Sequence, residues 1–191
     1  MLADLVRRCR TCRRYRADRP LAINLLRELV DLARLTASAA NKQPLRYLLS
    51  CTPDRNARIF PHLRWAGYLT DWDGPEPAER PVGYVVILGD REIMPQVRWD
   101  DAIAAYTLML GAAERGLGAC IFASIARDEL RAALSIPERH EILLVVALGE
   151  PVEQVVLEEV GPDGNIMYWR DQAQVHHVPK RRLEDVIVDF G

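Results

Sequence analysis

Asp100 to Phe122 reads DDAIAAYTLMLGAAERGLGACIF. Two carboxylates stand at its start, where a helix N-terminus favours negative charge, and Gly116 follows the last apolar turn, where glycine suits a left-handed cap. Between them Ala104, Leu108 and Ala112 recur at helical spacing, and most intervening positions are apolar as well. A helix lacking a polar face is buried on nearly all sides, so the pattern predicts a central helix followed closely by a short strand, Cys120-Ile121-Phe122.

Working outward, apolar runs bounded by turn residues predict further strands at Tyr47 to Cys51, Val82 to Leu88 and Ile142 to Leu148. Gly89-Asp90 closes the second of these, and Gly149-Glu150-Pro151 the third. Helical periodicity appears at Leu2, Leu5, Val6 and Cys9, at Leu25, Leu26, Leu29, Leu32 and Ala33, and from Asp128 to Leu134. Residues 53–81 are irregular, with five prolines, two glycines and the aromatics Trp65, Tyr68 and Trp72. Beyond Pro151 come a polar turn at Gly161 to Gly164, basic Lys180-Arg181-Arg182 and a last apolar stretch, Val186-Ile187-Val188, suited to pairing with a partner subunit's sheet edge. The class is α+β or α/β with about four or five strands.

At 191 residues, 49% apolar and 27% charged with net charge -2, the chain fits one ordinary globular domain spanning 1-191. That balance argues against a globally basic nucleic-acid binder. The longest apolar stretches fall far short of the roughly 18 to 20 residues that cross a bilayer, and nothing at the N-terminus reads as an export signal. No membrane partner is expected, and a cytoplasmic location is. Four cysteines in a chain of this length form no disulfide framework.

Charge is concentrated locally. Arg7 to Arg19 reads RRCRTCRRYRADR, seven arginines in thirteen residues with Asp18 as the compensation inside the run. Such a cluster is either a solvated face or a seat for an anion, and its density favours the anion. Arg10 and Arg13, with the Thr11 hydroxyl between them, suit a phosphate. Ser38, Asn41 and Gln43 form a polar loop one helix further on; the Asn41 and Gln43 amides donate and accept in the manner a heterocycle's edge requires, although Ser and Asn also form ordinary turns. Arginine neighbours should lower the thiol pKa values of Cys9 and Cys12.

These segments resemble the nitroreductase family of flavin-dependent oxidoreductases. Cys9-Arg10-Thr11-Cys12-Arg13-Arg14-Tyr15 is similar to its Arg/Ser/Arg phosphate motif ending in an aromatic, and Ala37-Ser38-Ala39-Ala40-Asn41-Lys42-Gln43-Pro44 to its Pro-Ser-Ser-x-Asn-x-Gln-Pro loop. Asp100 to Ala113 resembles its central helix and Arg115 to Ile121 its Gly-Leu-Gly turn into a strand. Leu148 to Pro151 resembles its Gly-x-Pro strand end, and Lys180 to Val186 its basic C-terminal segment. The resemblance spans nearly the whole chain. It implies the nitroreductase-like α+β fold, a central, mostly antiparallel sheet flanked by helices in an obligate homodimer with a C-terminal extension. It also implies FMN as cofactor, reduced by NADH or NADPH, which then reduces a small-molecule acceptor such as a nitroaromatic, quinone or enone. Carried over, Arg10, Thr11 and Arg13 fall on the phosphate motif, and Ser38, Asn41 and Gln43 on the ring loop. Phe122, Ala123 and Ser124 fall on main-chain contacts over the flavin, and Lys180 or Arg181 near a second phosphate cation. Departures are Cys9 for an outer arginine, Ala37 for proline, Leu45 for an aromatic and Ser124 for glycine. No side-chain acid or base is required, because the chemistry runs at flavin N5.

Other readings carry less. Cys9-x-x-Cys12 lacks two further zinc ligands or a thioredoxin-like strand, and Gly116-x-Gly118 follows a helix where a dinucleotide fingerprint follows a strand. His176 and His177 have no companion at ligand spacing and are expected at the surface. Trp65, Tyr68 and Trp72 suit core or dimer contact better than the roof of an acceptor pocket. A basic module stacking Tyr15 on a nucleic-acid base, and a flavin-binding sensor or scaffold without turnover, are the alternatives.

Overall fold

A computed structural model describes residues 1–190. Its central sheet has the order β1-β2-β4-β3, formed by β1 (Leu45–Ser50), β2 (Gly83–Asp90), β3 (Gly118–Phe122) and β4 (His140–Gly149), with every neighbouring pair antiparallel. Helices cover both faces. Val85, Ile87, Val146 and Leu148 point to one face and pack with Leu26 and Leu29 of α2 (Ile23–Arg34) and Ala104, Leu108 and Ala112 of α4 (Asp100–Glu114). Tyr84, Val86, Leu88 and Val145 point to the other, against Ile59 of α3 (Pro53–Ile59) and Leu130 of α5 (Arg127–Leu134). Burial on both faces explains why β2 is a continuous apolar run instead of an alternating one.

The predicted central helix is α4, closed at Gly116 with φ +74°. Gly111 lets it approach α2 closely, since a Cβ there would lie 2.9 Å from both Leu29 and Leu32. Leu108 at its centre is fully buried, which contributes roughly 1.5–3 kcal/mol. The N-terminal helix α1 (Leu2–Arg8) ends where the arginine run begins.

Three expectations are corrected. Residues 53–81 are not wholly irregular: Pro53 occupies the first turn of α3, where its missing N–H costs nothing. Gly89-Asp90 is not a turn after β2 but its last two residues, paired with Leu45, Glu141 and His140, and the Asp90 carboxylate accepts from Arg139 Nε at 2.8 Å and Nη2 at 2.6 Å. After Pro151 the chain builds a second sheet of order β5-β7-β6, from β5 (Val155–Glu159), β6 (Trp169–Arg170) and β7 (His176–Lys180). Val186 to Val188 form no strand and are exposed. No helix among the described residues is long and apolar enough to cross a membrane.

Candidate functional site

On leaving α1 the arginine segment runs alongside β3 and the end of β4. Thr11 bridges Ala119, Cys12 N donates to the Ala119 carbonyl at 2.9 Å, and Arg16 N donates to that of Glu150 at 2.8 Å. Tyr15 anchors the segment, fully buried, its hydroxyl donating to the Cys12 carbonyl. It is therefore not available to stack on a nucleic-acid base.

The arginines have more acidic partners than Asp18. Arg14 holds Glu79 through two bonds of 2.6 and 2.7 Å, and Arg16 reaches Asp18 and Glu150. Arg13 donates its backbone N–H to Glu153 at 2.7 Å, while its guanidinium lies 3.3 Å from His176 Nε2 and 4.9 Å from the Tyr168 ring centre. Glu153 is fully buried as a side chain and also receives Arg170 at 2.6 Å. Glu153, Arg170, Tyr168 and His176 tie the second sheet to the arginine segment; from sequence alone nothing marked them as its partners. His176 is 1% exposed, not a surface residue. Burial is the main cause that pushes its pKa down to about 4, with Arg13 and Arg170 assisting and Glu153 opposing, so the ring is neutral and its Nε2 can accept from Arg13.

Arg8 and Arg10 have no carboxylate partner among the described residues. Arg10 donates Nη2 to the Val6 carbonyl at 2.7 Å, and its Nε is buried without any partner. Both line a cavity of ≈ 340 Å³ with Cys9, Cys12, Gly118 and Glu153, beside Met109 and Ala113 of α4. The Cys12 thiol is pushed up to about 12, chiefly by burial, and Cys9 is raised by burial against the charge of Arg10. The arginines therefore do not activate these thiols.

The amide loop lies at the other end of α4. Ser38 Oγ donates to Asp100 Oδ2 at 2.5 Å and accepts from Gln43 N at 2.9 Å, while Ala39 N donates to Asp100 Oδ1 at 3.2 Å. Asp100 is buried in the first turn of α4 and pins the loop. Ala40, Asn41 and Gln43 all adopt left-handed φ, at 49°, 53° and 50°. Three such non-glycine residues in four positions store backbone strain, which the Ser38–Asp100 anchor holds in place. Gln43 Nε2 donates to Asn41 Oδ1 at 3.1 Å, leaving the Asn41 amide N–H groups and the Gln43 carbonyl exposed as donor and acceptor. A cavity of ≈ 190 Å³ adjoins them, lined by Ser38, Gln43, Tyr47 and Asp100.

The remaining predicted residues are spread more widely. Phe122 is core, its ring edge-on to Trp65 at 4.7 Å, and Trp65 in turn meets Trp72 at 6.0 Å. Ala123 and Ser124 are exposed, with their carbonyls accepting from Arg127 and Arg64. Lys180 and Arg181 are exposed at the far end of β7 from His176, four residues or about 13 Å along the strand. Within one chain they are thus away from the His176–Arg13 pair.

The helix-covered antiparallel sheet, with its sequence-central helix carrying a cationic cavity at one end and a strained amide loop at the other, defines an α+β domain of the nitroreductase-like fold. Residues 6–150 match the model of the Nitroreductase family, a family of oxidoreductases, and the chain belongs to it. Solved structures agree on the fold. A nitroreductase family protein of Clostridium difficile 630 superposes with TM-score 0.63 at 20% identity, covering 78% of this chain and 83% of that one. A protein of Exiguobacterium sibiricum 255-15, described as a nitroreductase and solved with FMN, gives 0.65 at 16%, covering 80% and 89%. An enone reductase of gut-bacterial fatty acid saturation metabolism gives 0.67 at 15%, covering 79% and 89%.

Proposed function

We propose that the protein is a homodimeric FMN-dependent oxidoreductase whose one domain spans residues 1-191. The observation that carries the reading is the ≈ 340 Å³ cavity, where Arg8 lacks an anionic partner and the buried Arg10 Nε lacks any partner. A phosphate satisfies both, because a buried unpaired donor is costly and a charge-assisted bond to it is strong. Thr11 follows Arg10 in the chain but does not line this cavity, so the phosphate is assigned to Arg8 and Arg10. FMN bound there would supply the redox chemistry, hydride transfer through N5 from NADH or NADPH to a nitroaromatic, quinone, enone or related acceptor in two half-reactions. The amide loop offers a donor and an acceptor to the ring's polar edge, and its strained backbone is already in place before a ligand arrives.

The position of these two features supports the dimer. The loop is fixed at Asp100, and the cationic cavity is lined by Met109 and Ala113 of the same helix, about 14–20 Å further along at 1.5 Å per residue. We place the phosphate on one subunit and much of the ring wall on its partner. Lys180, Arg181 and the apolar tail from Val186 to Val188 then reach the partner's half of the site.

Purified protein should be yellow or gain a bound-flavin spectrum with FMN, and should oxidise NADH or NADPH when a quinone or nitroarene is present. Arg10→Glu is expected to reduce FMN retention at least tenfold, and Arg13→Glu by less, since that guanidinium is engaged with His176 and Tyr168. Protein that never acquires a flavin spectrum overturns the reading, and Arg10→Glu protein that retains FMN like the parent overturns the phosphate assignment.

A further inference from the structure

A third cavity, of ≈ 250 Å³, opens beside α3 and shares no lining residue with the cavities at Arg10 and Ser38. Its walls are largely apolar, with Pro20, Pro53, Pro81, Ala57, Phe60 and Val82, and the three prolines contribute no backbone N–H. Asn56 also lines it, but Nδ2 is spent on the Val82 carbonyl at 2.9 Å and Oδ1 on the Ser50 hydroxyl at 2.7 Å. Apart from the Cys51 thiol, two polar side chains at the cavity make no hydrogen bond among the described residues.

The first is Tyr84, on β2. It is 1% exposed and lines the cavity, and its hydroxyl has no hydrogen-bond partner among the described residues. Burial holds its pKa well above the ordinary phenol value while the nearby Arg80 charge acts in the opposite sense, so the hydroxyl remains a donor. The second is Arg80, whose guanidinium sits 4.1 Å over the Phe60 ring at the rim. It has no carboxylate partner among the described residues, because the adjacent Glu79 is held by Arg14. Cys51, half-buried, lies on the same wall.

A phenol O–H that faces the cavity without an acceptor, beside an unpaired guanidinium, is complementary to a carboxylate: one oxygen accepts the phenol O–H and both can face the guanidinium fork. The proline and phenylalanine wall suits an apolar body, and the volume is below that of pockets for drug-sized ligands, which limits the body to about one ring. We propose that this cavity binds small monocarboxylates with a single-ring apolar body, held by Arg80 and Tyr84 against Cys51.

Benzoate and its uncharged counterpart benzamide test this on purified protein supplied with FMN. Calorimetric titration is read together with the rate of Cys51 alkylation by iodoacetamide, followed by peptide mass spectrometry. Benzoate should bind saturably, at least tenfold tighter than benzamide, and slow the labelling of Cys51. Arg80→Gln, a change at the exposed rim that leaves the core untouched, should weaken benzoate at least tenfold and abolish the protection; Tyr84→Phe should weaken it several-fold. Absence of saturable binding overturns the proposal, as does equal affinity in Arg80→Gln. Binding that alters the flavin absorbance but leaves Cys51 labelling unchanged places benzoate at the flavin and also overturns it. The outcome does not depend on whether the Arg10 cavity holds FMN, so failure here leaves the oxidoreductase reading standing.

Discussion

Arg13 serves the fold through its backbone and the second sheet through its side chain, and the link between them is His176. Because burial lowers the His176 pKa to about 4, the unfolded chain binds a proton near pH 6.5 that the folded chain refuses until pH 4. Stability should therefore fall as pH drops through that window, by up to about 1.4 kcal/mol per pH unit. His177 works in the opposite sense: Glu158 and Asp171 raise its pKa, so its contribution is present below pH 6.5 and lost as pH rises through the folded value. Asp90, held down to about 2 mainly by Arg139, weakens the fold only below about pH 4. Urea denaturation at pH 7, 5.5 and 4.5 should show the decline, and His176→Gln should flatten it; a parent protein equally stable at all three values contradicts a neutral buried His176. The sequence could not disclose this network. Its excess of positive charge was legible, but the carboxylates that neutralise it, Glu79 and Glu153, stand 65 residues from Arg14 and 140 from Arg13.

Elements that carry their own signal were legible: α4 through its carboxylates and terminal glycine, β2 and β4 through runs too apolar for a solvated face. Elements defined by distant partners were not. Residues 89 and 90 look like a turn until β4 pairs with them and Arg139, just before β4, reaches Asp90, and β6 is a two-residue strand that exists only by pairing with β7. The candidate site divides the same way. Ser38, Asn41 and Gln43 were readable as a polar loop, whereas the anchoring of that loop by Asp100 required the fold. How closely the arginine segment meets β3 is a matter of packing, and Gly118 is where it can be tested. A Cβ there would lie 2.7 Å from Cys12 Sγ, 2.8 Å from Cys12 Cβ and 3.2 Å from Pro151 Cβ. Gly118→Ala should cost about 1–3 kcal/mol by overpacking and, by displacing the segment that carries Arg10, weaken FMN retention. Adding Cys12→Ala removes the Sγ clash and should restore part of the lost stability. Thermal melts and flavin titration of both variants check this; a Gly118→Ala protein as stable as the parent means that the segment can shift without loss.

For the whole molecule, the decisive feature is the apolar surface left uncovered by one chain. Ile103 and Tyr106 on α4, Leu32 and Leu35 at the end of α2, and Leu2 and Val6 on α1 are all exposed, and Trp99 before α4 is 74% exposed. Scattered apolar side chains need no explanation, but large ones drawn from three helices that pack together do, and the usual resolution is a partner subunit. Hydrophobic spacing on α4 concealed this, because a helix apolar on nearly all sides reads the same whether its outer face meets its own chain or a second copy. If the face is the dimer interface, a charge placed in it without a partner should separate the subunits, since a desolvated lone carboxylate costs more than the contact gains. Ile103→Glu and Tyr106→Glu proteins should run as monomers in gel filtration with light scattering while keeping the parent's far-ultraviolet circular dichroism. They should also lose FMN, because one subunit's amide loop would then have no cationic cavity of a partner beside it. Monomers that retain FMN as tightly as the parent would show that a single chain completes the site, and the two ends of α4 would have to be reconciled within it.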